Sequence, residues 1–348
     1  MIACAAAKRG SSGDSFPARL LYDKSPFFTT SLAYAEIITD DVYVISAKHH
    51  LISLNSIIEW YDKTLNSMTK DEVTAWGESI VKQLSDRYNF NTTEFVILAG
   101  KTYYTPLIKL LPKLSVSLPL KNAVGFSGQL TTRKHLLVCA KLHRLFNDLP
   151  RYQWDTIDKV SFDNGIYIVF EKGEYYYGMD RIVRVGTHTS DRRLQKRLKD
   201  HFISKNKDGS IFRKNIGKAL LNESNHPYLT VWSMDSSDKQ NVIDKVGDSF
   251  NLVTQKSIEE EVSSYIQSNI SFTCFHVPHK EDRERFENAI IASLNNSLDF
   301  HSTNKWKGVY SPEKEIAESG LWLKKGLNEP LLSESEYNKI YELCLPYI

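Results

Sequence analysis

The sequence has few cysteines and no long apolar run. Its 348 residues include only four cysteines, which are Cys4, Cys139, Cys274 and Cys344. Because zinc-binding and disulfide-rich domains need closely spaced cysteines, both classes are excluded, and the scarcity is typical of a reducing compartment. No stretch approaches the roughly 20 apolar residues of a membrane-spanning helix. At the start of the chain the apolar residues precede the basic ones, the reverse of a signal peptide, so we expect a strand there and a cytoplasmic protein.

Acidic residues are scarce in two stretches, although the formal net charge is only +2. Residues 101–150 hold eight Lys or Arg against one acid, Asp148, and residues 161–220 hold thirteen against seven. Such runs are most often solvated faces, but they also suit a polyanion. The overall composition, 41% apolar and 25% charged, excludes a wholly disordered chain.

The first half alternates short apolar runs with amphipathic stretches. Runs at 1–4, 42–46 and 95–99 are typical of strands buried in a parallel sheet. The pattern between and after them predicts helices over 31–38, 69–88 and 127–147, the second with a capped start at Thr69. We therefore predict an α/β domain with a mainly parallel sheet over residues 1–148. Ligands of such domains bind at the carboxyl ends of the strands.

The pattern changes after residues 149–160, where proline and aspartates predict a linker. Beyond it we predict an α+β domain over residues 161–330 and a tail over 331–348 that contains a short helix. The predicted strands are 165–171, 181–186 and 271–277, with a hairpin excursion over 172–180, and the predicted helices are 191–202, 258–267 and 281–295.

Two of these helices carry polar residues beside an apolar stripe. On the first, Arg193, Arg197 and His201 each precede a residue of the stripe formed by Leu194, Leu198 and Phe202. Guanidinium groups suit phosphates because their forked donors bind two oxygens. On the last predicted helix, Glu287 borders the stripe that begins at Phe286, where a carboxylate could hold a divalent ion for phosphodiester hydrolysis.

These residues also carry a resemblance over about residues 161–325. Gly165-Ile166-Tyr167 and Arg184-Val185-Gly186 resemble the paired strand motifs of the GIY-YIG nuclease family, and the helices at 192–202 and 285–291 resemble its catalytic helices. The resemblance implies a GIY-YIG-like nuclease domain that uses Mg²⁺ or Mn²⁺ held by Glu287. It implies catalytic roles for Tyr167, Arg184, Arg197, His201 and Glu287, with Tyr167 as the base or the group that positions water. It also implies DNA contacts from Arg193, Lys205, Lys207, Arg213, Lys214, Lys218 and Asn304.

Other interpretations of the same residues stay open. The second motif of the family normally begins with tyrosine, so Arg184 either contacts a phosphate or weakens the site. Tyr167 is otherwise a packed aromatic residue, and Arg197 with His201 a solvated helix face. Glu287 is otherwise the partner of Arg283, four residues earlier.

The first half resembles a second family, the small bacterial and archaeal proteins related to the peroxide-stress protein YaaA (DUF6884-like). The resemblance rests on short blocks in order, which are Ala3-Cys4 with Lys8, residues 17–28, 46–51 and 61–65, and residues 98–101 with Tyr103 or Tyr104. The family is linked to DNA binding, and its motifs are similar to those of base-excising glycosylase folds. Many members carry glycine at the position of His50, which predicts an altered loop here.

These blocks lie where three predicted strands end, so we expect them to surround one crevice. The resulting base pocket comprises Cys4, Lys8, Ser46, Lys48, His49, Tyr61, Gly100 and Tyr104. The rings of Tyr61 and Tyr104 suit stacking on an extruded base, and Asp62 suits a catalytic role at the glycosidic carbon. The alternatives are a buried apolar role for Cys4, a surface charge for Lys48, a loop histidine for His49 and a helix or turn cap for Asp62.

The two halves together favour an enzyme that acts on DNA. In the first hypothesis, the N-terminal domain recognises and excises a modified base and the C-terminal domain cuts the strand, as in restriction of modified phage DNA for antiviral defence. In the second, the same nuclease has a base reader that is not catalytic. In the third, a catalytically inactive chain binds nucleic acid or modifies tRNA. Cutting both strands with one site per chain would favour a homodimer.

Overall fold

The computed structural model describes residues 1–237 and 239–348, with the backbone alone for Leu114, Lys239 and Asn241. These residues form two compact units, which we call unit 1, residues 1–141 with 297–299, and unit 2, residues 142–296 with 300–348. The segments predicted as linker and tail, 149–160 and 331–348, both belong to unit 2. None of the described helices is both long and apolar enough to cross a membrane.

The described residues of unit 1 form short strands and helices, and the last helix continues past residue 141. The elements are β1 (Ile2–Ala3), β2 (Ser15–Pro17), α1 (Ala18–Leu21), α2 (Pro26–Ile38), β3 (Tyr43–Ser46), β4 (His50–Ser53), β5 (Ile57–Glu59), α3 (Lys70–Ser85), β6 (Phe95–Val96), α4 (Lys101–Ile108), β7 (Val116–Ser117) and α5 (Gly125–Asn147). The predicted capped start is confirmed, because the side chain of Thr69 accepts from the backbone of Glu72, whose carboxylate accepts from Thr69 in return.

The main sheet of unit 1 is mixed, so the prediction of a mainly parallel sheet is wrong. β1 runs parallel to β3, but β3 runs antiparallel to β4. Only residues 47–49 separate these two strands, and a connection this short joins antiparallel strands because a parallel pair needs a long crossover. His50 has φ of 59°, in the left-handed region that favours glycine, which accounts for glycine at this position in the resembling family.

Unit 2 has one antiparallel sheet surrounded by helices. Its elements are β8 (Gly165–Tyr176), β9 (Met179–Gly186), α6 (Leu194–Phe202), α7 (Ile211–Glu223), α8 (Leu229–Ser233), α9 (Lys239–Val246), α10 (Leu252–Asn269), β10 (Ile270–His276), α11 (Lys280–Asn295), α12 (Lys314–Ser319) and α13 (Glu334–Cys344). The strand order is β10-β8-β9. The predicted excursion over 172–180 is mostly strand, because β8 and β9 continue to a two-residue turn at Tyr177 and Gly178, both with positive φ.

The predicted stripe of α6 forms part of the core of unit 2. Leu194, Leu198 and Phe202 are all fully buried, and the ring of Phe202 stacks on that of Phe272 in β10 with centroids 5.0 Å apart. This packing fixes the rotation of α6 and therefore the direction of its polar residues. The sequence pattern did not predict α7, which follows α6 closely and packs Phe212 and Ile216 into the same core.

Two buried carboxylates on β8 hold the irregular segment near residues 300–323. The carboxylate of Glu171 accepts hydrogen bonds from the indole N–H groups of Trp306, at 3.0 Å, and Trp322, at 2.7 Å. That of Glu174 pairs with Arg181 at 2.6 Å and accepts from the backbone N–H of Thr303. Burial raises the pKa of Glu171, and the hydrogen bonds from Trp322 and Trp306 oppose this shift.

The close approach of Tyr167 to Gly186 gives a first prediction. The two residues are directly paired between β8 and β9, and a Cβ added at position 186 would overlap the phenol of Tyr167. We expect Gly186→Ala to cost about 1–3 kcal/mol of stability, since the buried ring has no room to move. Thermal unfolding measures this. Gly128→Ala is the control, because open space surrounds that helical position and alanine stabilises helices. A Gly186→Ala protein as stable as wild type would contradict the packing.

Candidate active site

Tyr167 lies in the central strand of unit 2 and is almost wholly buried, with 1% of its surface exposed. Its hydroxyl lies 2.8 Å from Nε2 of His201 on α6. Gly186 on β9 has no side chain, and this leaves room for the phenol of Tyr167 on β8. Any larger residue at position 186 would overlap the ring. Tyr167 is therefore a packed aromatic residue, as one of the two interpretations of the sequence held. It is also hydrogen-bonded to His201, another predicted catalytic residue.

His201 is fully buried, so the alternative in which it lies on a solvated face of the helix is wrong. Its second ring nitrogen, Nδ1, lies 2.6 Å from the hydroxyl of Ser210 at the start of α7. Burial lowers the pKa of His201 well below 6.5, and the nearby charges of Arg184, Arg197 and Arg213 lower it further. The imidazole is consequently neutral at neutral pH, with one nitrogen that can accept a proton.

Arg184 occupies the position of the usual motif tyrosine and is held by its surroundings. One terminal nitrogen of the guanidinium donates to the backbone oxygen of Trp322, and the group lies 5.2 Å from the ring centre of Phe212. Its Nε is buried and has no hydrogen-bond partner in the described part of the chain. The guanidinium thus keeps a donor available at a fixed place.

Glu287 projects from α11 toward the same region. Its Oε1 accepts from the backbone N–H of Thr187, just after β9, at 3.2 Å. Burial raises the pKa of Glu287, while Arg184, this hydrogen bond and Arg197 act in the opposite direction. The alternative pairing with Arg283 is not what the structure has, because that guanidinium bonds Asp191 and two backbone oxygens.

Two cavities open beside these side chains. A cavity of about 480 Å³ is lined by Arg184, Glu287, Asn215 and Asn288, with Lys324 and Lys325 among the other lining residues. A second, of about 350 Å³, is lined by Arg193, Arg197 and Thr187, among others. Thr187 lines the second cavity and bonds the carboxylate of the first, so the two are neighbours. Arg193 is exposed and Arg197 half-buried, so both can be reached from solvent, and their contact with DNA stays a prediction.

Some of the residues after α6 that were predicted to contact DNA are buried, and others are exposed. Arg213 is fully buried and paired with Glu259 at 2.8 Å, and Lys207 is 1% exposed and paired with Asp208, so neither faces a phosphate as expected. Both have acidic partners because a buried cation needs one. Lys218 is also buried, with 9% of its surface exposed, and is paired with Glu313, so it does not face a phosphate as expected either. Lys205 is exposed and paired with Glu260, Lys214 is half-buried beside Asp208, and Asn304 is exposed.

The predicted base pocket in unit 1 centres on a buried tyrosine. The Tyr61 hydroxyl lies 2.7 Å from both the hydroxyl of Ser46 and that of Tyr22, and Ser46 also accepts from the backbone of Lys48 and His49. Burial raises the pKa of Tyr61 above its usual range. Only 4% of Tyr61 is exposed, so its ring is part of the wall and does not stack on a base as expected.

Cations and a second tyrosine surround Tyr61. The ammonium of Lys8 lies 4.8 Å and that of Lys48 5.6 Å from its ring centre, and the ring of His49 meets it edge-on at 5.1 Å. Nε2 of His49 is buried without a hydrogen-bond partner among the described residues. Burial, followed by the charge of Lys48, lowers the pKa of His49. Lys48 is thus more than an isolated surface charge.

The remaining predicted pocket residues lie around this cluster or apart from it. The thiol of Cys4 lies 3.4 Å from the hydroxyl of Tyr103, whereas Tyr104 packs against the core beside it. Gly100 caps the start of α4 with its backbone alone. Asp62 is exposed, and no contact between it and the Tyr61 cluster is among those of the described residues. Sequence reasoning missed the role of Tyr22, although it lies in one of the blocks that carry the family resemblance.

Family models match both halves of the chain. A model of the GIY-YIG domain matches residues 140–335, more than half of the chain, and the chain therefore belongs to that family. Membership indicates a nuclease with DNA as its substrate, and such nucleases are generally dependent on a divalent metal. A model of a family of unknown function (DUF6884) matches residues 1–134, so both resemblances found in the sequence are confirmed. Neither a curated protein nor a solved structure matches the chain.

The buried imidazole of His201 predicts a loss of stability in acid. Because its pKa is lowered in the folded state, the unfolded chain binds the proton first, and stability falls as the pH drops below about 6.5. The loss approaches about 1.4 kcal/mol per pH unit for this group. We expect His201→Gln, which keeps a neutral hydrogen-bonding side chain, to flatten the fall in Tm between pH 7 and 5. His276→Gln, at an exposed position of β10, is the control. Equal acid sensitivity of wild type and His201→Gln would contradict a neutral buried His201.

Proposed function

We propose that unit 2 hydrolyses DNA phosphodiester bonds at the cavity lined by Arg184 and Glu287. The observation that carries the proposal is geometric: Arg184 and Glu287 line one cavity, and Thr187, whose backbone N–H bonds the Glu287 carboxylate, lines a second cavity together with Arg197. The charges of Arg184 and Arg197 also act to lower the pKa of both His201 and Glu287. These four groups therefore form one cluster on three different elements, β9, α6 and α11. Hydrolysis of a phosphodiester needs cations where negative charge develops and a group that accepts the proton of the attacking water.

Each side chain has a role in this proposal. Arg184 and Arg197 bind the scissile phosphate and stabilise the negative charge that develops on its oxygens. The hydroxyl of Tyr167 orients the attacking water, and His201 is the neutral group positioned to take a proton through that hydroxyl at 2.8 Å. Thr187 holds the carboxylate of Glu287 toward the cavity through its backbone N–H.

Glu287 is the residue that would hold Mg²⁺ or Mn²⁺. Within the described residues no group of three or more His, Cys, Asp or Glu side chains is clustered closely enough to hold a metal. A single carboxylate fits Mg²⁺ nevertheless, because this ion keeps several waters and is commonly bound through one or two carboxylates plus substrate phosphates. When bound, the ion would supply Lewis-acid stabilisation of the phosphate.

Substitution of Glu287 tests the nuclease proposal. Glu287→Gln should reduce Mg²⁺- or Mn²⁺-dependent nicking of plasmid DNA at least 100-fold, because an amide keeps the shape but binds the cation poorly. DNA affinity should change little, since the arginines remain. Glu284→Gln, one turn earlier on the same helix, is the matched control and should cut at the wild-type rate. Cutting by Glu287→Gln at that rate would refute the metal role, and a wild-type protein that never nicks DNA would refute the function.

We further propose that unit 1 recognises a modified base in DNA. Its support is the cluster in which Lys8 and Lys48 approach the ring of the buried Tyr61, beside the unpartnered Nε2 of His49. Two ammonium groups suit the DNA backbone, and a buried ring nitrogen suits a donor or acceptor on a base. Excision would need a carboxylate at the sugar carbon, whereas Asp62 is exposed. The reader without catalysis is therefore the function we favour for this unit.

The affinity for modified DNA tests the reader. We compare the Kd of the same duplex containing cytosine, 5-hydroxymethylcytosine or a 7-deazaguanine. Wild type should prefer one modified duplex, and His49→Ala should reduce that preference up to about 10-fold, since its buried Nε2 is the group placed to bond the base and a hydrogen bond contributes about 0.5–1.5 kcal/mol. Lys48→Ala should weaken binding of all the duplexes alike, because a backbone contact does not distinguish bases. Lys82→Ala, exposed on α3, should keep the preference. No preference for any modified duplex would contradict the proposal.

Excision is measured in the same samples. Alkali-labile sites that form without added metal would mean that unit 1 releases the base, and Asp62→Asn would then abolish them. Without such sites, unit 1 is a reader. The two units together would restrict modified phage DNA inside the cell, and double-strand cutting would require two copies of the chain.

A further inference from the structure

A buried asparagine of the active-site cavity has no role in the mechanism above. Asn215 lies on α7 between the fully buried Phe212 and Ile216, and only 1% of its surface is exposed. Neither its Oδ1 nor its Nδ2 has a hydrogen-bond partner among the residues that the structure describes. The side chain lines the cavity that also contains Arg184 and Glu287.

An unpaired buried amide is unusual because it loses its bonds to water and gains none in return. In Asn215 neither the donor nor the acceptor of the amide forms a hydrogen bond within the described residues, and the neighbouring core residues of the helix are apolar. The buried Nε of Arg184 on the same cavity wall is also without a partner in the described part of the chain. Two unsatisfied groups that line one cavity indicate a polar ligand that enters there.

The charge of the cavity identifies the class of that ligand. Besides Arg184, the lining includes Lys325 and Lys324, of which Lys324 is paired with Glu313 at 2.9 Å. Arg184 and Lys325 still outweigh Glu287, so the surroundings favour an anion. We propose that Asn215 is a substrate-binding residue whose Nδ2 donates to a non-bridging phosphate oxygen of the DNA, next to the donor of Arg184. Its Oδ1 then accepts from a water that hydrates the same phosphate. This inference rests on the proposed nuclease function of the cavity.

Replacement by an apolar side chain of similar size separates this role from a structural one. In Asn215→Leu, cleavage should fall about 10- to 100-fold in kcat/KM, because a hydrogen bond to a charged phosphate is lost. The Tm should rise by about 2–4 °C, because an unpaired buried amide is removed. A structural role predicts the opposite pair of results, a lower Tm with unchanged cleavage by the folded protein.

Thr273 provides the matched control. It is fully buried in β10, its hydroxyl is also without a partner among the described residues, and it does not line the cavity. Thr273→Val should therefore raise the Tm while leaving cleavage unchanged. Asn215→Ala, which adds no bulk, is the second variant at the site and should lose cleavage as Asn215→Leu does.

The outcomes decide separately on the inference and on the nuclease function. If wild type nicks DNA with Mg²⁺ and both Asn215 variants nick equally well, the inference is overturned. If wild type does not nick, the nuclease function fails, and the Kd for a short duplex in EDTA decides on Asn215. A Kd weakened about 10-fold in Asn215→Leu but not in Thr273→Val supports phosphate binding, and equal Kd values overturn it.

Discussion

The geometry of unit 2 depends on the carboxylate of Glu171, buried in the middle of its sheet. It fixes Trp306 and Trp322, which belong to a segment with little regular structure of its own. Trp322 in turn donates its backbone N–H to Val183, and its backbone oxygen accepts from Arg184. The residue that replaces the motif tyrosine is therefore held through a chain of bonds that begins at Glu171. Loss of that carboxylate would leave several buried donors unsatisfied, at a cost larger than that of any one bond.

Much of the fold could be predicted from local patterns. The capping box of α3 needs only Thr69 and Glu72, and the apolar spacing of α6 fixes which of its faces is buried. The helix that contains Glu287 was also predicted within one residue of its observed bounds, whereas the strand that contains Tyr167 begins where predicted and continues five residues further. In each case the signal lies within one turn of helix or one strand, where short-range geometry decides the outcome.

What the sequence could not show depends on partners that are distant along the chain. Arg213 was expected at the DNA surface, but it is paired with Glu259, which lies 46 residues away. The hairpin that makes the main sheet of unit 1 mixed depends on the left-handed conformation of His50. Among the residue types, glycine is the one that commonly indicates this conformation in a sequence. Asn215 carries no signal at all in sequence, because an unpaired amide is recognisable only when everything around it is known.

The bond between Arg184 and the backbone of Trp322 has a consequence for the order of events during synthesis. The two residues that it joins are 138 positions apart in the chain, and Trp322, which donates to Glu171, lies 151 residues after that glutamate. A ribosome adds about 5–20 residues per second, so the strand and the segment that braces it emerge many seconds apart. Throughout that interval the guanidinium has no fixed position. A nascent or truncated chain therefore cannot assemble this site, and the nuclease unit completes itself only after most of the protein has been made.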